Sequence, residues 1–219
     1  MSIKSILLIV LSLLVFGCSA SVQSNHVNTG SQVEMYSYTH HAKMKHIVNP
    51  TIIPIVVSDS FTDEQADDIT KAINEWNLVL NGQIVLKEME NTFGSDAEGL
   101  AIQAGFEKSS NGIVVYGFMS DNPILKGVPD GALAFVTDYD ANAVTVIVDR
   151  LGTRSLRVIF AHEMAHILGA NHVNAPTLEY PVYGNIQTDC IDRVVVAQVA
   201  TMRGLNFDNL NYCITPMFP

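Results

Sequence analysis

The stretch His162-Glu163-Met164-Ala165-His166-Ile167-Leu168-Gly169-Ala170-Asn171-His172 constrains this chain more than any other. His162 and His166 stand four positions apart, so a helix projects both from one face, a turn apart. Two imidazoles so placed bind one Zn²⁺. Glu163 lies between them, where it reaches a water rather than the metal. Gly169 lets the helix end in a left-handed turn that other residues resist, so the chain can swing back and present His172. Three histidines leave the fourth position of a tetrahedral zinc open, as in catalytic rather than closed structural sites. Zinc brings the pKa of a water near neutrality, and Glu163 as general base takes its proton during attack on a carbonyl. The bland alternative is a buried amphipathic helix, with Ile159, Phe160 and Ile167 toward the core and the histidines incidental. Five agreeing positions, one a glycine with a mechanical role, favour the metal.

Upstream, the pattern is that of one α+β domain. Ile52-Ile53-Pro54-Ile55-Val56-Val57 is an apolar run of strand length, and Pro54 suggests an edge or a bulge. Thr62 with Gln65 forms a capping box, followed by Ile69, Ile73, Trp76 and Leu80 at helical spacing. Gln83 to Met89, Ile113 to Tyr116, Ala132 to Val136 and Ala143 to Asp149 read as further strands. A second helix starts near Ser155 and carries the histidines. A third is expected from Thr188, as N-cap, to Arg203, with Gly204 to stop it. The resulting expectation is a mixed, mostly parallel five-stranded sheet with three helices, the zinc site on the second. Asp138, Asp140 and Asn142 are spaced to hold Ca²⁺ through hard oxygen ligands. A hairpin turn accounts for the same residues and is preferred.

The first residues read as a leader. Lys4, an apolar run from Ile6 to Phe16 and the small residues Gly17-Cys18-Ser19-Ala20 make a signal peptide too short to span a bilayer. Val15-Phe16-Gly17-Cys18 resembles the lipobox of bacterial lipoproteins, which implies a signal over residues 1–18, lipid on Cys18 and anchoring to a membrane of the cell envelope. Cleavage after Ala20, giving a secreted product, is the alternative. Residues 19–50 are polar and lack an apolar period, so they read as a flexible tether, with His40, His41 and His46 as solvated linker side chains. Residues 51–219 form the domain. The chain carries 22 acidic against 12 basic residues, net −10, and the leader removes only Lys4 from that count. Such a surface disfavours nucleic acid and anionic lipid as partners. After export two cysteines remain, Cys190 and Cys213, and an oxidising compartment favours a disulfide between them. Its closure would stabilise the fold by roughly 3 kcal/mol.

The spacing HExxHxxGxxH is the signature of the metzincin metalloproteases, and within that clan the chain is similar to the matrixins over about Thr51 to Gly204. Besides the zinc motif, the resemblance rests on Ala72-Ile73-Asn74-Glu75-Trp76-Asn77, on Gly131-Ala132-Leu133-Ala134-Phe135, and on Tyr180-Pro181-Val182-Tyr183-Gly184. It implies a zinc endopeptidase that binds an extended peptide along an edge strand, here Ala132 to Val136, by strand addition. Three features depart from the matrixin pattern. No cysteine precedes the domain as a zymogen switch, the edge strand lacks the histidine of a second zinc site, and Val173 follows the third histidine in place of serine. A fourth concerns the methionine turn that metzincins place beneath the metal. Pro176-Thr177-Leu178-Glu179-Tyr180-Pro181 matches that segment, with residues 178–181 expected as the turn, but Glu179 stands at the methionine position. Glu179 is expected either to face a ligand imidazole or to rotate away and leave Leu178 or Tyr180 as the floor.

The leading expectation is therefore an exported zinc-dependent peptidase, taken as a monomer, acting on peptide or protein. The rival is a non-catalytic lipoprotein that keeps zinc as a staple. A hydrolase acting on small peptides or cell-wall material shares the same site.

Overall fold

The computed structural model describes residues 19–20, 37–38, 50–92, 112–136, 143–183 and 189–214. Cys18, His40, His41, His46, Asp138, Asp140, Asn142, Thr188 and Met217 lie outside these residues. The elements are β1 (Ser19–Ala20), β2 (Ser37–Tyr38), β3 (Thr51–Val57), α1 (Asp63–Leu80), β4 (Ile84–Met89), β5 (Ile113–Phe118), β6 (Ala134–Val136), β7 (Ala143–Ile147), α2 (Leu156–Leu168), β8 (Val182–Tyr183), α3 (Arg193–Arg203) and β9 (Cys213–Ile214). The fold is α+β, with a five-stranded sheet of order β4-β3-β5-β7-β6. All its pairings are parallel except β6 with β7. Parallel strands are covered on both faces and so read as near-continuous apolar runs, as β5 and β7 do.

Two placements differ from the sequence reading. β3 is not an edge strand, because β4 flanks it on one side and β5 on the other. β5 joins it only from Ile55 onward, so Pro54 sits where β3 has a single neighbour and its missing N–H is tolerated. In addition, the stretch expected as a tether contributes two-residue strands, β1 parallel to β8 and β2 antiparallel to β9.

α1 starts on the expected capping box. The Gln65 amide donates to Thr62 Oγ1 at 3.3 Å and the Thr62 amide to Gln65 Oε1 at 3.0 Å. Its buried stripe of Ile69, Ala72, Ile73, Trp76, Val79 and Leu80 meets α2 and the sheet in the main core. α2 starts at Ser155, whose hydroxyl accepts from the Val158 amide. Every residue of α2 except Arg157 is buried, so it is a helix of the interior and not an amphipathic surface helix. Arg157 reaches back to α1 and donates from Nη1 to both oxygens of Glu75 at 2.7 Å.

α3 begins four residues later than the sequence suggests. Its N-cap is Asp192, whose Oδ1 accepts from the Val194 and Val195 amides at 2.8 and 3.2 Å. Gly204, with φ of 64°, ends it as expected. A disulfide joins Cys190 to Cys213, and the Cys213 amide donates to Ile191 O at 2.9 Å. The chain before α3 is thereby fastened to the tail, which in turn binds the end of α1 through Asn211 Nδ2 and Leu78 O at 2.7 Å.

The one tryptophan links α1 to the histidine helix. Trp76 is fully buried and its Nε1–H donates to Ala161 O, beside His162, at 3.0 Å. Trp76→Phe removes that bond and some core volume, and should destabilise the protein by roughly 1–3 kcal/mol. Urea unfolding followed by circular dichroism checks this; an unchanged midpoint would show that the bond carries nothing.

Candidate metal centre

His162, Glu163 and His166 enter the core on α2, where all three side chains are buried. A polar group in such a place costs free energy unless it is partnered. The two imidazoles are partnered at their rear edges. His162 Nδ1 lies 2.7 Å from Leu178 O and His166 Nδ1 3.0 Å from Ala170 O. A carbonyl only accepts, so both Nδ1 atoms carry the proton and both Nε2 atoms present lone pairs.

Those lone pairs converge with Nε2 of His172. The Nε2–Nε2 separations are 3.1 Å for His162 and His166, 3.2 Å for His166 and His172, and 3.3 Å for His162 and His172. A tetrahedral zinc with Zn–N bonds of about 2.0–2.1 Å needs nitrogens about 3.3–3.4 Å apart. The triangle fits that spacing to within a few tenths of an ångström. The bare lone pairs of His162 and His166, 3.1 Å apart, repel one another unless a proton or a cation lies between them. Burial holds all three imidazoles below their ordinary pKa. His162 is shifted well down, with His166 as a further cause, His166 is shifted down by burial, and His172 falls to about 4, again with His166 contributing. Neutral rings at neutral pH do not have to shed a proton before binding a cation.

The turn after α2 delivers His172. Gly169 has φ of 103°, and its amide donates to Ala165 O and His166 O. Arg203 closes the helix end, with Nε donating to Leu168 O at 3.1 Å and Nη2 to Ile167 O. A cation suits a helix C-terminus.

Beneath the histidines the chain turns at residues 177–180, where the Tyr180 amide donates to Thr177 O at 3.3 Å. The turn lies one residue earlier than expected and carries Leu178 and Glu179 at its centre. Both are 0% exposed. Glu179 faces two of the histidine rings, its oxygens 3.4 Å from His162 Nδ1 and 3.2 Å from His166 Nδ1. Burial, then repulsion from Glu163 and Asp192, pushes its pKa well above the usual carboxylate range. Met202, the methionine of the last turn of α3, is 65% exposed and lies over Gly169. It forms no floor. His162, His166, His172 and Glu179 together make a group able to hold a metal ion.

Asp192 is the residue that the sequence reading missed. Its Oδ1 caps α3 while its Oδ2 accepts from the Leu178 amide at 2.8 Å. One carboxylate thus ties the floor turn to the third helix. Its signal is visible in Asp192-Arg193-Val194-Val195, an N-capping residue directly before an apolar run.

No protein-family model matches the sequence, and no curated protein matches it. Among solved structures the chain is similar to metalloproteinase-II from Bacteroides fragilis, at 14% identity and a TM-score of 0.43. The likeness covers 70% of this chain and 53% of that protein, so the chain spans about half its length.

Gly169 tests how the third ligand is placed. A Cβ there would lie 2.7 Å from Met202 Cβ, on a backbone conformation that side chains resist. Gly169→Ala should cost about 1–3 kcal/mol and lower the metal content of the purified protein. Thermal melting together with elemental analysis checks both; full metal content at an unchanged melting temperature would contradict the role given to this turn.

Proposed function

We propose that this protein is an exported zinc metallopeptidase, held at a membrane by lipid on Cys18. The single observation that carries the catalytic reading is the convergence of three Nε2 atoms, from His162, His166 and His172, at tetrahedral spacing. The donor set fits zinc, which favours imidazole nitrogen. When bound there, zinc supplies Lewis acidity toward a carbonyl oxygen and lowers the pKa of a water. His162, His166 and His172 hold it. Glu163, on the same helix between two of the ligands and 1% exposed, takes the proton of the attacking water on its carboxylate and delivers it to the departing amine. Burial keeps that carboxylate out of bulk water, where its charge would be screened.

The substrate class is peptide or protein. β6 forms the edge of the sheet and is paired, antiparallel, with β7. An extended peptide can add to such an edge by backbone hydrogen bonds. The leader pattern and the disulfide support export to an oxidising compartment, and the lipobox-like Val15-Phe16-Gly17-Cys18 supports the anchor.

One observation favours the rival reading of zinc as a staple. Glu179 stands close enough to complete a three-histidine, one-carboxylate set. Its oxygens face the Nδ1 edges, however, while the lone pairs converge at Nε2.

Incubation of the zinc-loaded protein with a diverse peptide library, read by mass spectrometry, separates the two. The peptidase reading expects cleavage, and Glu163→Ala should keep one zinc per chain while losing about 10²-fold or more in rate. Full zinc with no cleavage, or near-normal cleavage by the variant, would refute the catalytic role.

A further inference from the structure

Glu179 sits where an acid is costly. It is 0% exposed, and neither carboxyl oxygen has a hydrogen-bond partner. Among the described residues, its ion-pair-distance neighbours are the Nδ1 edges of His162 and His166, at 3.4 and 3.2 Å. It cannot easily leave. Its carbonyl accepts from the Val173 amide at 2.9 Å, and Asp192 clamps the preceding Leu178 amide. An apolar side chain of similar length, such as methionine, would fill the same space without the desolvation cost. A buried, unsatisfied polar group of this kind calls for an explanation. The groups it faces supply one, since both belong to rings whose opposite edges converge on the metal position.

We propose that Glu179 is a positioning residue of the metal centre, bracing the rear edges of His162 and His166 so that both rings hold Nε2 forward and donate more strongly to the cation. An acceptor behind a ligating imidazole fixes its orientation and raises its basicity. Here one carboxyl group serves two ligands, while Leu178 O and Ala170 O take the direct hydrogen bonds. The unfavourable burial of the acid is offset when the cation occupies the front of the rings. The folded metal-free protein bears that cost uncompensated, so the residue trades stability without metal for affinity toward it. This inference rests on the metal-site reading above, and its test uses binding and spectra instead of hydrolysis.

The test compares wild type, Glu179→Gln and Glu179→Met. Zinc affinity is measured on metal-free protein by competition with a chromophoric chelator, melting is followed on the same samples, and visible spectra are taken after Co²⁺ loading. Expected are zinc dissociation constants weakened by about 10–100-fold in both variants, with metal-free melting temperatures unchanged or raised. The Co²⁺ spectra should keep their shape, because the coordinating atoms are the same. A wild-type dissociation constant in either variant, or loss of the metal-free fold in both, would leave Glu179 a packing residue and overturn the proposal. An altered Co²⁺ spectrum would make it a ligand and overturn it as well. Wild-type protein that binds neither metal would instead bring down the metal-site reading itself.

Discussion

A helix buried on every face but one carries two imidazoles and a carboxylate into the core, and most of the structure around α2 answers that cost. Ionisable groups in an apolar interior are held neutral, paired or bound to a metal. His162 and His166 are neutral, with Nδ1–H committed to Leu178 O and Ala170 O. What these bonds leave over is two Nε2 lone pairs that face each other and His172 Nε2 at about the spacing of a tetrahedral metal's ligands. A cation among these nitrogens would turn that repulsion into binding.

The parts that hold the rings come from three distant regions of the chain. Trp76 on α1 bonds the carbonyl beside His162. Residues 177–180 supply the acceptor for His162 and place Glu179 behind two ligands. Asp192 joins that turn to α3, and the Cys190–Cys213 disulfide fastens the same segment to the tail. Packing thus runs from the sheet through α1 and α2 to a floor that local sequence alone could not hold in position. The exposed Met202 shows the consequence, since it covers the helix end at Gly169 and leaves the floor to Leu178 and Glu179.

Much of this was legible in the sequence where the cause is local. The capping box at Thr62 and Gln65, the helix start near Ser155, the stop at Gly204 and the histidine spacing all follow from contacts within a few residues. The five strands could be placed because their apolar runs are bounded by turn residues. What escaped depends on partners far along the chain. Pro54 suggests an edge or a bulge, but the stagger of β5 against β3 makes room for it. The cap of α3 is legible in Asp192-Arg193-Val194-Val195, but the bond of Asp192 to the floor turn is a second partner that no local pattern reveals. For Glu179 the sequence allows two orientations, because desolvation cost alone does not say which neighbour it meets. The structure turns it toward the imidazoles.

The chemistry assigned to this protein requires a metal held by three nitrogens, with one coordination position left to solvent. X-ray absorption at the zinc edge, on purified protein carrying one zinc per chain, measures that arrangement directly. The account predicts three imidazole nitrogens and a single light oxygen at about 2.0–2.2 Å, with no change in the nitrogen count when Glu163 is replaced by alanine. A sulfur scatterer, a fourth protein nitrogen, or a first shell with fewer than three imidazoles would contradict it.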